Sequence, residues 1–362
     1  MAKKRGTSGI CRIVALDKPK GASSHDMVNK VRRVFDERRV GHTGTLDPLA
    51  SGVLTICVGP ATRLDAYLVD HDKVYQMDVV FGCSTATDDA EGVILSQDAP
   101  TEELFTQEFA EKAVQGLVGK SIQIPPAYSA IKVNGTKAYE AARKGTGVVL
   151  EARPFEVYAS QLDAVYSVSR TPGTDEFTNA EEGLRVVKPG IDESISALPV
   201  WRMTLHVSKG TYMRAIARDL GDKLGVPAHC GELRRLAVGN LTINDCVTIE
   251  ELQQNPNASI VDPLRLLGFR WSFVRGKDQQ IANGAFLSER DLSLNEPIEG
   301  DMFDAACCTS SVFPSHEPVR DGEVVGVCVG HELRALYEYQ ESKHRYKARC
   351  VFPQGVERGT GL

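Results

Sequence analysis

The chain of 362 residues is 42% apolar and 25% charged, a balance that gives a globular protein two or three domains and cores of useful size. No apolar run approaches the roughly 18 residues of a membrane span. The basic start Met1-Ala2-Lys3-Lys4-Arg5-Gly6 leads into no signal-type stretch, so a cytoplasmic protein without membrane contact is expected.

The formal charge of −6 argues against a nucleic-acid partner, but its distribution argues for one. Met1 to Thr45 holds 11 Lys or Arg against 4 Asp or Glu, a local +7, and Trp201 to Asn240 holds 7 against 3, a local +4. Phosphate attraction is screened beyond about 10 Å, so patches matter more than totals, although charge runs are more often solvated faces. The nine cysteines form no C-x-x-C pair. Cys11, Cys57 and Cys83 lie in apolar, strand-like surroundings and read as buried thiols of a reducing compartment, while adjacent Cys307-Cys308 suits neither zinc nor a common disulfide.

In chain order, Cys11 to Leu16 reads as a strand stopped by Asp17-Lys18-Pro19-Lys20-Gly21. Ser23-x-x-Asp26 has the form of a capping box, and Met27, Val28, Val31, Val34 and Phe35 make a helical apolar stripe. Val53 to Val58 reads as a short strand and Ala61 to Leu68 as a helical turn or two. Tyr75, Met77, Val79 and Phe81 alternate as in a half-buried strand, and a helix is expected from about Thr101 to Leu117.

Ile124 to Val148 opens on Pro125-Pro126, is punctuated by glycines, and carries Lys132, Lys137, Arg143 and Lys144. It reads as a mobile basic loop with a helix across Tyr139 to Arg143. Strands return at Phe155 to Val165 and Trp201 to Val207. Between them, Ser167 to Leu198 holds six acids against three bases and is expected to be a polar, partly disordered surface insertion. A helix from Thr211 to Leu224 stops at Gly225, with Pro227 just beyond. Late in the chain, Val324 to Val329, Arg334 to Tyr339 and Tyr346 to Phe352 are spaced like strands of a small β-barrel. The expected organisation is a basic disordered start over 1–9, an α+β (mixed α/β) domain with a mostly antiparallel sheet over 10–260, and a small β domain over 261–362.

The stretch that carries chemistry is Arg39-Val40-Gly41-His42-Thr43-Gly44-Thr45-Leu46-Asp47-Pro48-Leu49-Ala50-Ser51-Gly52-Val53-Leu54. Its glycines permit close backbone approach, and Pro48 forces Asp47 out of the α region into an extended loop. An isolated Asp-Pro would read as a turn cap. The hydroxyls of Thr43, Thr45 and Ser51 have no partnered base at a recognisable spacing.

The whole pattern closely resembles the catalytic motif of the TruB-type tRNA pseudouridine synthases. The resemblance continues through Leu16-Asp17-Lys18-Pro19-Lys20-Gly21, Lys73-Val74-Tyr75, Thr85-Ala86-Thr87-Asp88-Asp89-Ala90-Glu91-Gly92, and Gln123-Ile124-Pro125-Pro126-Ala127-Tyr128-Ser129-Ala130-Ile131-Lys132. It ends on Ser208-Lys209-Gly210-Thr211-Tyr212-Met213-Arg214 and Leu233-Arg234-Arg235-Leu236, all in family order over roughly residues 10 to 250.

The resemblance implies a pseudouridine synthase fold, with 124–148 as an RNA-gripping loop and 261–362 as a PUA-like domain of the actinobacterial form that binds the acceptor stem. It implies a cofactor-free, metal-free isomerisation of the T-loop uridine (position 55) in tRNA by a monomer. Asp47 is implied as nucleophile, Tyr75 as the residue against the uracil that takes part in proton removal, and Arg214 as the partner of Asp47. A nearby cation favours the charged form of a carboxylate. His42, Tyr212, Leu233, Lys18, Asp89 and Lys132 are implied on the substrate side: His42 beside the extruded nucleotide, Leu233 against the flipped base, Asp89 within the Asp–Arg network. Outside that context Tyr75 reads as a core tyrosine, Arg214 as a helix-surface arginine and His42 as a structural histidine. Trp271, Phe273, Arg275 and Lys277 read either as an RNA contact or, more commonly, as a core strand with basic neighbours.

Three rivals compete. A tRNA-binding and folding chaperone would keep the basic loop yet tolerate loss of Asp47. An aspartate-based glycosidase would call for two carboxylates across one site. A synthase of the box-guide RNA type, which works inside a multi-protein particle, is disfavoured by the bacterial-looking C-terminus.

Overall fold

The structure, a computed structural model, describes residues 8–129, 131–133, 136–138, 149–172, 174–179, 181–182, 184–187, 190–298 and 318–359. Residues 1–7 of the basic start, the expected Tyr139 to Arg143 helix and Cys307-Cys308 lie outside the described residues. The chain divides into two compact units: the residues up to His71 together with those from Leu236 onward, and Asp72–Arg235.

In the first unit, β1 (Arg12–Lys18) pairs antiparallel with β3 (Ser51–Val58), and β2 (Val40–His42) also pairs with β3. Helix α1 (Ser24–Phe35) starts at a full capping box, with Ser23 and Asp26 bonded reciprocally. It buries Met27, Val28, Val31 and Phe35, the stripe visible in the sequence, and ends on Asp36 in the left-handed region at φ 46°.

The late strands form a five-stranded sheet in which Val324–Val329, Glu332–Gln340 and Arg345–Glu357 pair antiparallel and Trp271–Phe273 joins parallel to the first of them. Trp271 and Phe273 are stacked edge to face, with the Arg358 guanidinium 5.0 Å from the Trp271 ring centre. This sheet shares one core with the N-terminal strands: Cys11, Ile13, Cys57 and Leu64 pack with Leu264, Leu333, Leu336 and Phe352. Arg12 reaches across to Glu357 at 2.7 Å, and Glu357 N–H donates to the Cys11 carbonyl at 2.9 Å.

In the second unit, β4 (Lys73–Phe81) pairs antiparallel with Ala197–Val207, which pairs in turn with the 18-residue strand Arg153–Arg170. Gly119–Gln123 lies along the start of that long strand. Trp201 is fully buried here, its ring 4.5 Å from Phe81 and its Nε1–H donating to the Leu104 carbonyl at 2.8 Å. The fold is the expected α+β class, and the strand ladders described in this unit are antiparallel.

Two details differ from the sequence reading. The expected Thr101 to Leu117 helix is a 3₁₀ turn (Glu102–Phe105) and an α-helix (Gln107–Gln115), separated by extended Thr106. The Thr106 hydroxyl donates to the Glu103 carbonyl at 2.8 Å, a local bond that competes with helix continuation.

The Ser167 to Leu198 segment, expected as a polar, partly disordered surface insertion, is built into the sheet over its described residues. Its described residues extend the sheet as a hairpin, Glu176–Asn179 with Leu184–Val187. Phe177, Leu184, Val186, Ile191 and Ile195 are buried against Val80, Cys83, Val168 and Val200. Arg170 ties the segment further, sitting 4.8 Å over the Phe177 ring and donating to the carbonyls of Ile191 and Ile195 at 3.1 Å. A few apolar residues at alternate positions hold the hairpin, and the average polarity of the segment hides them. No helix among the described residues is long and apolar enough to cross a membrane.

Candidate active site

In the first unit the glycine-rich motif runs from β2 through an extended loop into β3. Thr43 N–H donates to the Thr55 carbonyl at 3.1 Å, and Gly44 at φ 113° makes a bend closed to ordinary side chains. Leu46 is buried, while the next residue, Asp47, is half-buried in the extended stretch just before the bend at Pro48–Leu49. Ala50 N–H donates back to the Asp47 carbonyl at 3.1 Å, closing the turn into β3.

His42 ends β2 and, with Arg32, Arg38, Arg39, Thr43 and Asp65, lines a cavity of about 360 Å³. Burial raises the Asp65 carboxyl above its usual range, and the His42 charge opposes that shift. Lys18 is fully buried, its ammonium donating to the carbonyls of Pro19 and Ala22 at 2.9 and 2.7 Å. These bonds organise the turn before α1.

In the second unit, Arg214 stands in the first turn of the Met213–Leu224 helix and is 5% exposed. Its guanidinium donates to the Thr87 carbonyl at 2.8 Å, to Asp89 Oδ2 at 3.1 Å and to the Tyr128 carbonyl at 3.0 Å. Asp89 in turn accepts from the Thr87 hydroxyl at 2.5 Å and from Glu91 N–H at 3.0 Å. Neighbouring Asp88 faces elsewhere: its backbone is left-handed at φ 58°, and its carboxylate meets Arg218 at 2.9 Å. Burial raises the Asp88 carboxyl, with Arg218 opposing.

Tyr75 sits on β4, 8% exposed, with Arg235 Nη1 at 3.5 Å from its hydroxyl. Tyr212 precedes the Met213–Leu224 helix and donates its N–H to Gln123 Oε1 at 3.3 Å. Leu233 is buried on the Ala228–Val238 strand. Lys132 lies on a two-residue strand paired with Thr136–Lys137; its side chain is outside the described residues.

Arg214 and Asp89 are thus in direct contact. The residues that sequence reasoning left unassigned are the supports: Thr87, the Tyr128 carbonyl, Gln123, Arg235 and Ser24. Thr87 and Tyr128 lie inside quoted motifs, but no local pattern marks a backbone carbonyl as a guanidinium partner.

Comparison with known proteins decides the family. Residues 32–176 match the TruB family pseudouridylate synthase (N terminal domain), and residues 214–262 match the tRNA pseudouridylate synthase B C-terminal domain. A tRNA pseudouridine synthase B of Deinococcus radiodurans is 40% identical over 256 residues, 70% of this chain and 82% of that protein. The chain belongs to the TruB family.

A Corynebacterium jeikeium tRNA pseudouridine synthase B is 37% identical over 68% of this chain and 73% of its own, and one of Bacillus cytotoxicus is 36% identical over 86% and 94%. Among solved structures, "Crystal Structure of a Cbf5-Nop10-Gar1 Complex" aligns at a TM-score of 0.56 and 20% identity, over 95% of this chain and 84% of that one, which supports the fold alone. As a TruB-family member the chain is an RNA pseudouridine synthase, an isomerase that converts uridine to pseudouridine in tRNA.

Proposed function

We propose that the uridine converted is the T-loop uridine at position 55 of tRNA, and that Asp47 is the nucleophile. The observation that carries this reading is the loop itself: a half-buried carboxylate presented from a backbone held immediately before and after it. In the reaction the N1–C1′ bond breaks, the uracil turns and C5 joins C1′. The proton lost from C5 is matched by one gained at N1, so no redox partner is needed. A single carboxylate serves attack at C6, attack at C1′ or assisted departure of the base equally well.

In this reading Tyr75 lies against the uracil and takes part in removing the C5 proton, while Arg214 is the cationic partner of Asp47. Leu233 packs on the flipped base, and His42, Tyr212, Asp89, Lys18 and Lys132 serve the substrate side. Lys18 does so indirectly, through the turn it organises, since its ammonium is buried. The target uridine is extruded from its loop at a cost of a few kcal/mol, offset by phosphate contacts from the basic patches. The late β domain contacts the acceptor arm, and the enzyme acts as a cytoplasmic monomer.

The test is pseudouridine formation in an unmodified tRNA transcript by wild type and Asp47→Asn. Product at the T-loop uridine from wild type alone supports the assignment. Tight tRNA binding without product from wild type would overturn it in favour of a tRNA-folding chaperone.

A further inference from the structure

The residues around the start of α1 grip the Asp47 loop on both sides. Ser24, the first residue of α1, is 2% exposed. Its hydroxyl donates to the Leu46 carbonyl at 2.9 Å and accepts from Leu46 N–H at 2.8 Å. Three residues earlier, Gly21 N–H donates to the Pro48 carbonyl at 2.8 Å. Asp47 therefore sits between two neighbours whose backbones are tied to the same short segment. Because a hydroxyl is donor and acceptor at once, one serine can satisfy both main-chain groups of Leu46, which neither alanine nor a carboxylate could do. Away from water such bonds are stronger and their loss leaves buried groups unpaired.

The base of the grip is itself fixed. Lys18 holds the carbonyls of Pro19 and Ala22 at 2.9 and 2.7 Å, whereas the capping box of Ser23 and Asp26 closes the helix start on itself.

We infer that Ser24 is a positioning residue for the reaction: its two bonds to Leu46 set the direction in which the Asp47 carboxylate is presented. The inference rests on Asp47 being the nucleophile. Ser24 touches neither substrate nor reacting atoms, and acts through the backbone of one residue. Misplacing a reacting group by about 1 Å can cost on the order of 100-fold in rate. Binding of tRNA, spread over many phosphate contacts, is insensitive to that displacement.

The experiment compares single-turnover pseudouridine formation, tRNA dissociation constant and thermal midpoint for wild type, Ser24→Ala, Ser24→Thr, Ser23→Ala and Asp47→Asn, each as the full chain with an unmodified tRNA transcript. Ser24→Ala is expected to slow the single-turnover step by roughly 10- to 100-fold with the dissociation constant within about twofold. Ser24→Thr, which keeps the hydroxyl, recovers most of the rate. Ser23→Ala weakens the same helix start without touching Leu46, and keeps the wild-type rate.

An unimpaired Ser24→Ala beside an inactive Asp47→Asn overturns the inference alone. So do parallel rate losses in Ser24→Ala and Ser23→Ala, which would mean a weakened fold, and a Ser24→Thr of wild-type midpoint that recovers no rate. An active Asp47→Asn removes the nucleophile assignment on which the inference stands.

Discussion

Replacing Asp89 by alanine removes the carboxylate beside a buried guanidinium. Both side chains of the Arg214–Asp89 pair are 6% exposed, with 3.1 Å between Nη1 and Oδ2. Breaking a buried pair from one side costs about 3–5 kcal/mol, because the remaining charge keeps its desolvation penalty. Here the guanidinium would retain the carbonyls of Thr87 and Tyr128, whose dipoles recover part of that penalty. Against this, Asp89 also accepts the Thr87 hydroxyl and Glu91 N–H, and both bonds go with it. We expect a loss of about 3 kcal/mol, the lower part of the range. At roughly 2–4 °C per kcal/mol for a domain of this size, the midpoint falls by about 6–12 °C.

The assay is thermal and urea unfolding of Asp89→Ala, with Asp89→Leu, Arg214→Met and their combination as a cycle. Replacing both partners by apolar groups of similar volume is close to neutral for buried pairs, so the double variant should be more stable than either single one. A cost below about 1 kcal/mol for Asp89→Ala, the value of an exposed pair, would refute burial of the charge. Additive losses in the double variant would refute the coupling.

Four further outcomes follow from other parts of the molecule. Tyr75→Phe should lower product formation by about 10²- to 10⁴-fold, the usual worth of positioned acid–base help, while leaving tRNA affinity intact by filter binding. Phe177→Ala should cost about 3–5 kcal/mol in urea unfolding, because its ring is fully buried in the hairpin core; a cost under about 1 kcal/mol would mean the hairpin is loose. Burial pushes the Cys11 thiol up to about 12 and the fully buried Cys57 thiol higher still, so neither should react with iodoacetamide at mild alkaline pH until the protein is unfolded, as mass spectrometry of the labelled peptides would report. The unfolded thiol, at its ordinary value of 9.0, loses its proton first, so the stability contributed by Cys11 should decline as pH rises from there toward about 12, read as a falling urea midpoint.

Much of this architecture was legible because its signals are local. The α1 stripe shows in residues three and four apart, the β4 strand in simple alternation, and the end of the Met213–Leu224 helix in Gly225, which adopts φ 73°. The hairpin at Glu176–Val187 was missed for a matching reason. Its buried residues are few and separated by acids, so composition outweighs pattern, and the partners that bury them, Val80 and Cys83, lie far back in the chain.

The site divides along the same line. The residues proposed to carry chemistry are marked by rare neighbours: Asp47 by Pro48 and the glycines, Arg214 by Gly210 and Tyr212. Which of two adjacent acids faces Arg214 was decided instead by the left-handed turn at Asp88, which sends that carboxylate to Arg218 and leaves Asp89 for the inner guanidinium. The contact spans 125 positions, and the Ser24–Leu46 bonds span 22. No periodicity reaches across such intervals, and a serine or a backbone carbonyl carries no chemical label of its own. A motif therefore exposes the groups that react before those that hold them, and the second set is where a close reading of coordinates adds most. If Ser24 acts as inferred, part of the catalytic precision of this enzyme resides in a residue whose side chain never meets the uridine.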